Sequence, residues 1–255
     1  MYSRDTVDLA LLLSGLSIFD RENALICGVS VRAIRHWRYG SRRTGRTPSA
    51  SLPPRCPRCD GRELDAPAYA YLLGLYLGDG HITLGRRGVY ALSISCCDDW
   101  PGLIVATERA MVAVMPTSRV FRVARIGCHA VKSTSKHWPC LFPQHGPGRK
   151  HERKIELESW QQVIVAEHAG DFARGLFHSD GYRGVNRVRR ALADGDRWYE
   201  YPRYLFVNHS ADILRLCGGA LDRLGVDWRF SKPTTISVAR RAAVARLDEF
   251  VGPKY

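Results

Sequence analysis

The chain has 255 residues, a formal charge of +13 and 45% hydrophobic residues. This length and apolar content allow a folded core and exclude wholesale disorder, and no apolar run is long enough to span a membrane. Arginine supplies 32 of the 38 basic residues, and its planar guanidinium suits phosphate groups and guanine edges. The composition favours nucleic acid as the partner, although a GC-rich genome also produces arginine-rich chains.

The cysteines and the N-terminus indicate a compartment. The eight cysteines are scattered instead of forming a regular framework, and a chain of this length does not need disulfides. Residues Met1 to Asp5 lack the apolar stretch of a secretory signal. We therefore expect a cytoplasmic, nucleoid-associated protein.

Residues 1–46 are predicted to form a small helical module. Helices are expected from Asp5 to Leu13, from Asp20 to Cys27 and from Val31 to Arg38. The segment Gly28-Val29-Ser30 predicts a tight turn, because glycine adopts positive φ and serine caps a following helix. This pattern resembles a helix-turn-helix of the homeodomain-like or resolvase type. An ordinary three-helix bundle with a solvated basic face is the alternative.

The helix-turn-helix resemblance implies a set of DNA contacts. Basic residues of the third helix would face the major groove, and the basic segment after it would contact phosphate or the minor groove. The first set is Arg32, Arg35, His36 and Arg38; the second is Arg42, Arg43 and Arg46.

Residues 47–66 have the Pro-, Ser- and Arg-rich composition of a linker. Within them, Cys56-Pro-Arg-Cys59 resembles half of a zinc knuckle. A structural zinc ion needs four ligands, and the chain has no second pair of cysteines at this spacing. Completion by His36, Cys128 or His129 would require the chain to fold back, so we favour free thiols over zinc.

An internal repeat is the most informative feature. The segment Tyr71-Leu-Leu-Gly-Leu-Tyr-Leu-Gly-Asp79-Gly80 recurs as Phe172-Ala-Arg-Gly-Leu-Phe-His-Ser-Asp180-Gly181. The two aspartates are 101 residues apart. Each segment predicts an apolar helix that ends at its Asp-Gly pair.

The pattern of each helix predicts a shared metal site. Gly74 and Gly78 in the first helix, and Gly175 and Ser179 in the second, put small residues on one face, so the two backbones can approach closely. A carboxylate at a helix C-terminus opposes the helix dipole, and two such groups repel each other. Divalent cations between them would offset both effects.

The paired segments resemble the motifs of the LAGLIDADG homing endonucleases, and the resemblance covers roughly residues 67–255. It implies an α+β fold in which two pseudo-symmetric αββαββα repeats, about 67–156 and 157–255, form a saddle over double-stranded DNA. Two motifs in one chain imply the monomeric form. The all-α module described above would precede this domain.

The resemblance also implies the residues of the site. The two aspartates would share Mg²⁺ or Mn²⁺, and a basic residue late in each repeat would stabilise the phosphate charge. The metal-site residues are then Asp79, Asp180, Gly78 and Ser179, and the basic residues are Lys150 and Lys254.

The concave sheet of this family reads the DNA major groove. Strand residues alternate between faces, so one face can pack on helices while the other carries arginines. Any single member of the predicted set can also be an ordinary surface charge. The predicted readers are Arg86, Arg87, Arg119, Arg125, Lys132, Arg187, Arg189, Arg229, Lys232 and Arg240.

The resulting hypothesis is a metal-dependent, sequence-specific double-stranded DNA endonuclease of the homing type. The alternative is a non-cleaving transcriptional regulator built on the same fold, because relatives join this fold to a helix-turn-helix. A role in RNA splicing as a maturase also stays open.

Overall fold

A computed structural model describes residues 2–39, 56–192 and 195–254. The chain divides into two compact units, residues 1–53 and 54–255. No helix within the described residues is long and apolar enough to cross a membrane. The predicted DNA contacts Arg42, Arg43 and Arg46 lie outside the described residues.

The first unit contains three helices: α1 (Arg4–Gly15), α2 (Asp20–Ile26) and α3 (Val31–Tyr39). Gly28 has a φ of +63° in the turn before α3, and the Ser30 hydroxyl accepts a hydrogen bond of 3.2 Å from the Ala33 N–H. The glycine turn and the serine cap are both as predicted. A small core holds the helices together; it comprises Val7, Ala10, Ala24, Ile34 and Trp37.

The second unit contains two copies of an αββαββα arrangement. The first copy forms an antiparallel sheet in the order β1-β2-β4-β3. Its elements are α4 (Ala66–Asp79), β1 (Gly80–Leu84), β2 (Tyr90–Cys97), α5 (Pro101–Val114), β3 (Val120–Arg125), β4 (Cys128–Ser135) and α6 (Trp138–Leu141).

A further helix, α7 (Ser159–Glu167), lies between the copies. The second copy repeats the order with a sheet arranged β5-β6-β8-β7. Its elements are α8 (Ala169–Asp180), β5 (Gly181–Leu192), β6 (Gly195–Val207), α9 (Ala211–Arg223), β7 (Arg229–Lys232), β8 (Thr235–Val238) and α10 (Arg241–Val251). The predicted α+β fold with two repeats is confirmed.

Helices α4 and α8 pack together at the centre of this unit. Every residue of α4 from Tyr69 to Leu77 is buried, because α4 is covered by α8 on one side and by α5, α7 and the first sheet elsewhere. An apolar helix without a polar face suits this position. The repeated motifs therefore form the core between the two sheets.

Glycines set how closely α4 and α8 approach. A Cβ atom added to Gly74 would lie 2.5 Å from the Phe172 carbonyl oxygen, and one added to Gly175 would clash with the Tyr71 carbonyl oxygen. The close approach predicted from the small residues is confirmed. Backbone atoms of the two helices are in direct contact here, so no side chain controls their separation.

The glycines that follow the two aspartates, Gly80 and Gly181, are also required by close packing. Gly80 and Gly181 end their helices in extended conformations, with φ of −93° and −92°, so neither is needed for positive φ. A Cβ on either residue would lie 2.5 Å from a Cα atom of its own helix, that of Tyr76 or Phe177. Crowding at the turn from helix to strand is what requires glycine.

Candidate active site

The two candidate aspartates lie at the C-terminal ends of the packed helices. Asp79 ends α4 and Asp180 ends α8. A Cβ atom built on Gly78 would lie 3.1 Å from Asp180 Oδ2, so the Asp180 carboxylate reaches across to the end of α4. The helix pair thus brings together the residues that the repeat pointed to.

Each predicted lysine reaches the end of its own motif helix. Lys150 Nζ donates hydrogen bonds of 2.5 Å to the carbonyl oxygens of Tyr76 and Gly78. Lys254 Nζ donates to the carbonyl oxygen of Gly181 at 2.6 Å and to that of Ser179 at 3.4 Å. The two ammonium groups therefore occupy related but not identical positions.

The charges of this cluster perturb one another. Partial desolvation and the negative charge of Asp180 raise the pKa of Asp79 to about 6, while Lys150 and Lys254 oppose the rise. Desolvation also raises the pKa of Asp180. Burial lowers the pKa of Lys150 to about 8, against the attraction of both aspartates. Shifted pKa values in both acids and bases are typical of functional sites.

Asn208 is a site residue that the sequence analysis missed. It follows β6, and its Nδ2 donates a hydrogen bond of 2.7 Å to Asp180 Oδ2, which counteracts the rise in the pKa of Asp180. A cavity of about 370 Å³ opens beside Asp180, and its lining includes His151 and His209. The polar run Asn208-His209-Ser210 directly after a strand was the available signal.

A second missed residue is His178, which is buried two positions before Asp180. The Tyr71 hydroxyl is 3.0 Å from His178 Nδ1, and the Val251 carbonyl oxygen is 2.9 Å from Nε2. Burial lowers the pKa of His178 to about 4, so the ring is neutral at pH 7. A carbonyl only accepts, so Nε2 carries the proton, and Nδ1 accepts from the tyrosine. His178 thereby links α4, α8 and the segment that leads to Lys254.

The first sheet carries a basic face. His81, Ser93, Lys132 and Phe121 are neighbours in the register of β1, β2, β4 and β3, and the buried Ile82 and Leu92 belong to the opposite face. Arg125 lies on the same face as Lys132 by strand alternation. Desolvation and the nearby Lys132 and Arg125 lower the pKa of His81. Lys132 and Arg125 therefore lie together on the face away from the helices.

The hairpin β5–β6 places its arginines on both faces. By strand alternation, Arg187 and Arg189 lie on the same face of the sheet as Arg183, which is the face that packs on the helices. Arg187 forms an ion pair with Glu200, and Arg189 forms one with Asp196. Their role as DNA contacts stays a prediction, and in this structure both side chains form ion pairs within the hairpin.

The opposite face of the hairpin carries arginines that the sequence analysis did not single out. Arg190 and Arg197 are exposed cross-strand partners there, and Tyr199 and Tyr201 follow on the same face. Guanidinium groups at opposite positions of the register concentrate positive charge on this face, which suits a polyanion. The pairing was not visible in the sequence because it depends on the hairpin register.

The remaining predicted DNA contacts of the second unit are all exposed. Arg86 and Arg87 form a 3-10 turn between β1 and β2, Arg119 precedes β3, and Arg229 and Lys232 are the ends of β7. Arg240 precedes α10 and forms an ion pair of 2.8 Å with Asp227.

In the first unit, the four predicted residues of α3 divide into two pairs. Arg35 and Arg38 form ion pairs with Asp20 of α2, at 3.2 and 2.8 Å. Arg32 and His36 are exposed. The fixed pair holds α2 against α3, and the exposed pair is the part of the predicted set most open to a ligand.

Two residues considered for completing a zinc site with Cys56 and Cys59 lie elsewhere. His129 Nδ1 is 2.6 Å from Asp98 Oδ1, and Cys128 is the cross-strand partner of Cys97. Cys56 and Cys59 instead lie near His137 and Cys140.

Comparison with known proteins identifies the fold. A mesophilic variant of the homing endonuclease I-DmoI is 17% identical with a TM-score of 0.50, over 75% of this chain and 92% of that chain. Another variant of I-DmoI, solved with its target DNA and 2 mM Mg, is 15% identical with a TM-score of 0.50, over 74% of this chain and 98% of that one. No protein-family model and no curated protein matches the sequence. The second unit thus has the LAGLIDADG homing endonuclease fold.

Proposed function

We propose that the chain is a metal-dependent endonuclease of the homing type that cuts double-stranded DNA as a monomer. The observation that carries the proposal is the pairing of Asp79 with Asp180 at the ends of two glycine-packed helices. One chain supplies both halves of this site. The fold is shared with homing endonucleases, one of which was solved with DNA and Mg.

The donor atoms at the site suit a hard divalent cation. The carboxylates of Asp79 and Asp180 and the carbonyls of Gly78 and Ser179 offer oxygen only, which Mg²⁺ and Mn²⁺ prefer. Ammonium groups already lie against both carbonyls, so these positions favour positive charge. A cation bound there would lower the pKa of a water molecule and neutralise charge on the phosphate and the leaving oxygen.

The chain's own residues have three tasks in this mechanism. Asp79 and Asp180 hold the cations, and Asn208 fixes the orientation of the Asp180 carboxylate through its hydrogen bond. Lys150 and Lys254 place positive charge where the phosphate gains negative charge in the transition state. No serine or histidine nucleophile is required.

The basic sheet faces provide the surface for the duplex. Lys132 and Arg125 lie on the first sheet, and Arg190 and Arg197 lie on the hairpin of the second. Contacts to phosphate give affinity without sequence information, whereas arginine contacts to base edges give specificity. The face away from the helices therefore carries the groups that DNA binding requires.

The test is cleavage of a library of duplex targets by the full chain with Mg²⁺ or Mn²⁺. We expect double-strand breaks at a preferred sequence, and we expect Asp79→Asn and Asp180→Asn to reduce the rate by at least about 10²–10³-fold, the scale of losing a group that stabilises transition-state charge. Both variants should still bind the selected duplex.

Asp171→Asn is the matched control, because Asp171 lies in the first turn of α8, far along the helix from Asp180. It should cut at nearly the wild-type rate. Cleavage that survives the loss of either Asp79 or Asp180 would contradict the roles given to them.

The non-cleaving regulator is the second candidate function. It is favoured by the three-helix unit, in which the Ser30-capped helix α3 exposes Arg32 and His36. Tight binding to one operator-like duplex without cleavage, with either metal and across pH 6–9, would decide for the regulator.

A further inference from the structure

Four ligand-type side chains from two distant parts of the second unit converge at one point. The ligand atoms of Cys56, Cys59, His137 and Cys140 all lie within 4.8 Å of one another. Cys59 and Cys140 are 81 residues apart in sequence, yet their sulfur atoms are 3.4 Å apart. Cys140 Sγ is 4.0 Å from His137 Nδ1.

These distances suit tetrahedral zinc. Zn–S and Zn–N bonds of about 2.3 and 2.0–2.1 Å place the ligand atoms of a regular tetrahedron roughly 3.4–3.8 Å apart. The distances of 3.4 and 4.0 Å bracket this range. A disulfide requires about 2.05 Å between sulfurs, so Cys59 and Cys140 are placed as neighbouring thiols.

The local structure of each half orients its two ligands. In the first half, the Asp60 carboxylate accepts from the Cys56 N–H at 3.0 Å, and the Asp60 N–H donates to the Cys56 carbonyl at 2.9 Å. The chain is thereby folded into a tight loop that turns both sulfurs to one side.

The second half is one turn of helix. His137 precedes α6, and the Cys140 N–H donates to the His137 carbonyl at 3.1 Å. Residues three apart in a helical turn lie on the same face, so His137 and Cys140 present their ligand atoms together. His137-Trp-Pro-Cys140 and Cys56-Pro-Arg-Cys59 therefore use the same spacing.

Other contacts hold the two halves in place around the cluster. The Tyr69 hydroxyl of α4 donates a hydrogen bond of 2.5 Å to the carbonyl of Leu141, next to Cys140. Arg62 donates to the Val114 carbonyl at 2.5 Å, and Arg58 stacks over Trp160 at 4.6 Å. These contacts hold the two segments together without involving any of the four ligand side chains.

We propose that Cys56, Cys59, His137 and Cys140 form a structural zinc site. Four protein ligands leave no open position, so the ion has no catalytic task. It joins the segment before α4 to α6, and it is distinct in residues and in donor chemistry from the oxygen-lined site at Asp79 and Asp180. The sulfur ligands select zinc over Mg²⁺.

Zinc content of the purified full chain tests the proposal. The protein is prepared from zinc-supplemented cells under a phosphine reductant and treated with EDTA to remove weakly held metal. We expect one zinc ion per chain by mass spectrometry, and we expect Cys59→Ser and Cys140→Ser to weaken zinc binding at least about a hundredfold. Cys97→Ser and His129→Asn, which alter a thiol and an imidazole outside the cluster, should keep the zinc.

Two further measurements guard against variants that fail to fold. Reconstitution with Co²⁺ should give the thiolate charge-transfer and tetrahedral d–d bands of a three-sulfur, one-nitrogen site in the wild-type chain. His137→Cys should retain the ion and shift these bands, because a fourth thiolate replaces the imidazole.

Three results would overturn the proposal. These are a reduced, folded wild-type chain that binds neither zinc nor Co²⁺ at the cluster, zinc that persists when both Cys59 and Cys140 are replaced, and a disulfide between these two cysteines in the protein isolated from cells without reductant.

Discussion

The two repeats of the second unit share their topology and their aspartates, but they differ in how the surrounding groups are fixed. In the first, Lys150 is held by two carbonyls at 2.5 Å. In the second, Lys254 has one contact at 2.6 Å and one at 3.4 Å. Their first hairpins also differ, with strands of 5 and 8 residues in the first repeat and 12 and 13 in the second. The motif helices and their aspartates are therefore nearly symmetric, whereas the first hairpins of the two repeats differ in length.

The largest effect is expected where the repeats touch. Gly175→Ala would force a methyl group into the Tyr71 carbonyl, so we expect a loss of about 3 kcal/mol or more of unfolding free energy, at the upper end for overpacked cores. Chemical denaturation measures this.

Gly219→Ala in α9 is the matched control, because nothing lies within 4 Å of its added Cβ. It should stabilise the protein by about 0.5–1 kcal/mol, since alanine favours a helix over glycine. Equal effects of the two substitutions would show that the close contact between α4 and α8 is absent.

The two lysines should contribute unequally to cleavage. Lys150→Met should lower the single-turnover rate by about 10²-fold and Lys254→Met by about tenfold, because Lys150 is held by two short hydrogen bonds whereas Lys254 has one short and one long hydrogen bond. Lys154→Met is the control, since Lys154 pairs with Glu156 on the surface. A larger loss of cleavage rate in Lys254→Met than in Lys150→Met would contradict the greater contribution assigned to Lys150.

Acid should weaken the second repeat more than the first. His178 has an unfolded pKa near 6.5 and a folded pKa of about 4, so the folded state resists protonation, and stability present above pH 6.5 is lost as the pH falls towards 4. The loss by pH 4.5 is roughly 2–3 kcal/mol from this group.

Leu77 holds the position equivalent to His178 in the first repeat and cannot titrate. Urea denaturation at pH 7 and 4.5 should therefore show a smaller acid loss in His178→Leu than in the wild type, although the variant is less stable at pH 7. An unchanged acid loss would exclude a buried neutral histidine.

Metal affinity should depend on pH through Asp79. Because its pKa is raised to about 6, binding of Mg²⁺ or Mn²⁺ must displace a proton below that pH, and the affinity should fall by up to about tenfold per pH unit. Calorimetric titration from pH 5 to 7.5 measures this. Asp79→Asn should remove most of the dependence, and a flat profile in the wild type would contradict the raised pKa.

The smallest effects should separate the two faces of the long hairpin. Arg190→Ala should weaken DNA binding a few-fold and lower the salt-dependence slope by about one, as expected for a phosphate contact. Arg187→Ala and Arg189→Ala should change the slope less, because these side chains pair within the hairpin. Fluorescence anisotropy between 50 and 300 mM salt compares the three variants.

The sequence predicted the features that depend on short-range pattern. Small residues four apart and an Asp-Gly ending identified α4 and α8, and the resemblance of the repeated segments to the LAGLIDADG motifs implied the pseudo-symmetric fold. Lys150 and Lys254 were predicted because the family resemblance implies a basic residue late in each repeat. Each of these signals is contained in a short segment of the chain.

Features that depend on long-range register could not be predicted. His137 and Cys140 are distant from Cys56 and Cys59 in sequence, and only the tertiary structure brings the four side chains together. The length of the β5–β6 hairpin was hidden because its outer residues are exposed on both faces, so hydrophobic alternation is lost there. For the same reason, Arg190 could not be distinguished from Arg189.

The contact between Gly74 and Gly175 has a consequence for how such a molecule tolerates change. At this contact, main-chain atoms set the gap between the helices, so the spacing there does not depend on the surrounding side chains. Under the proposed function, substitutions on the sheets would then change which duplex is recognised without altering the paired aspartates. An engineer seeking a new target would leave α4 and α8 untouched and vary only the strands.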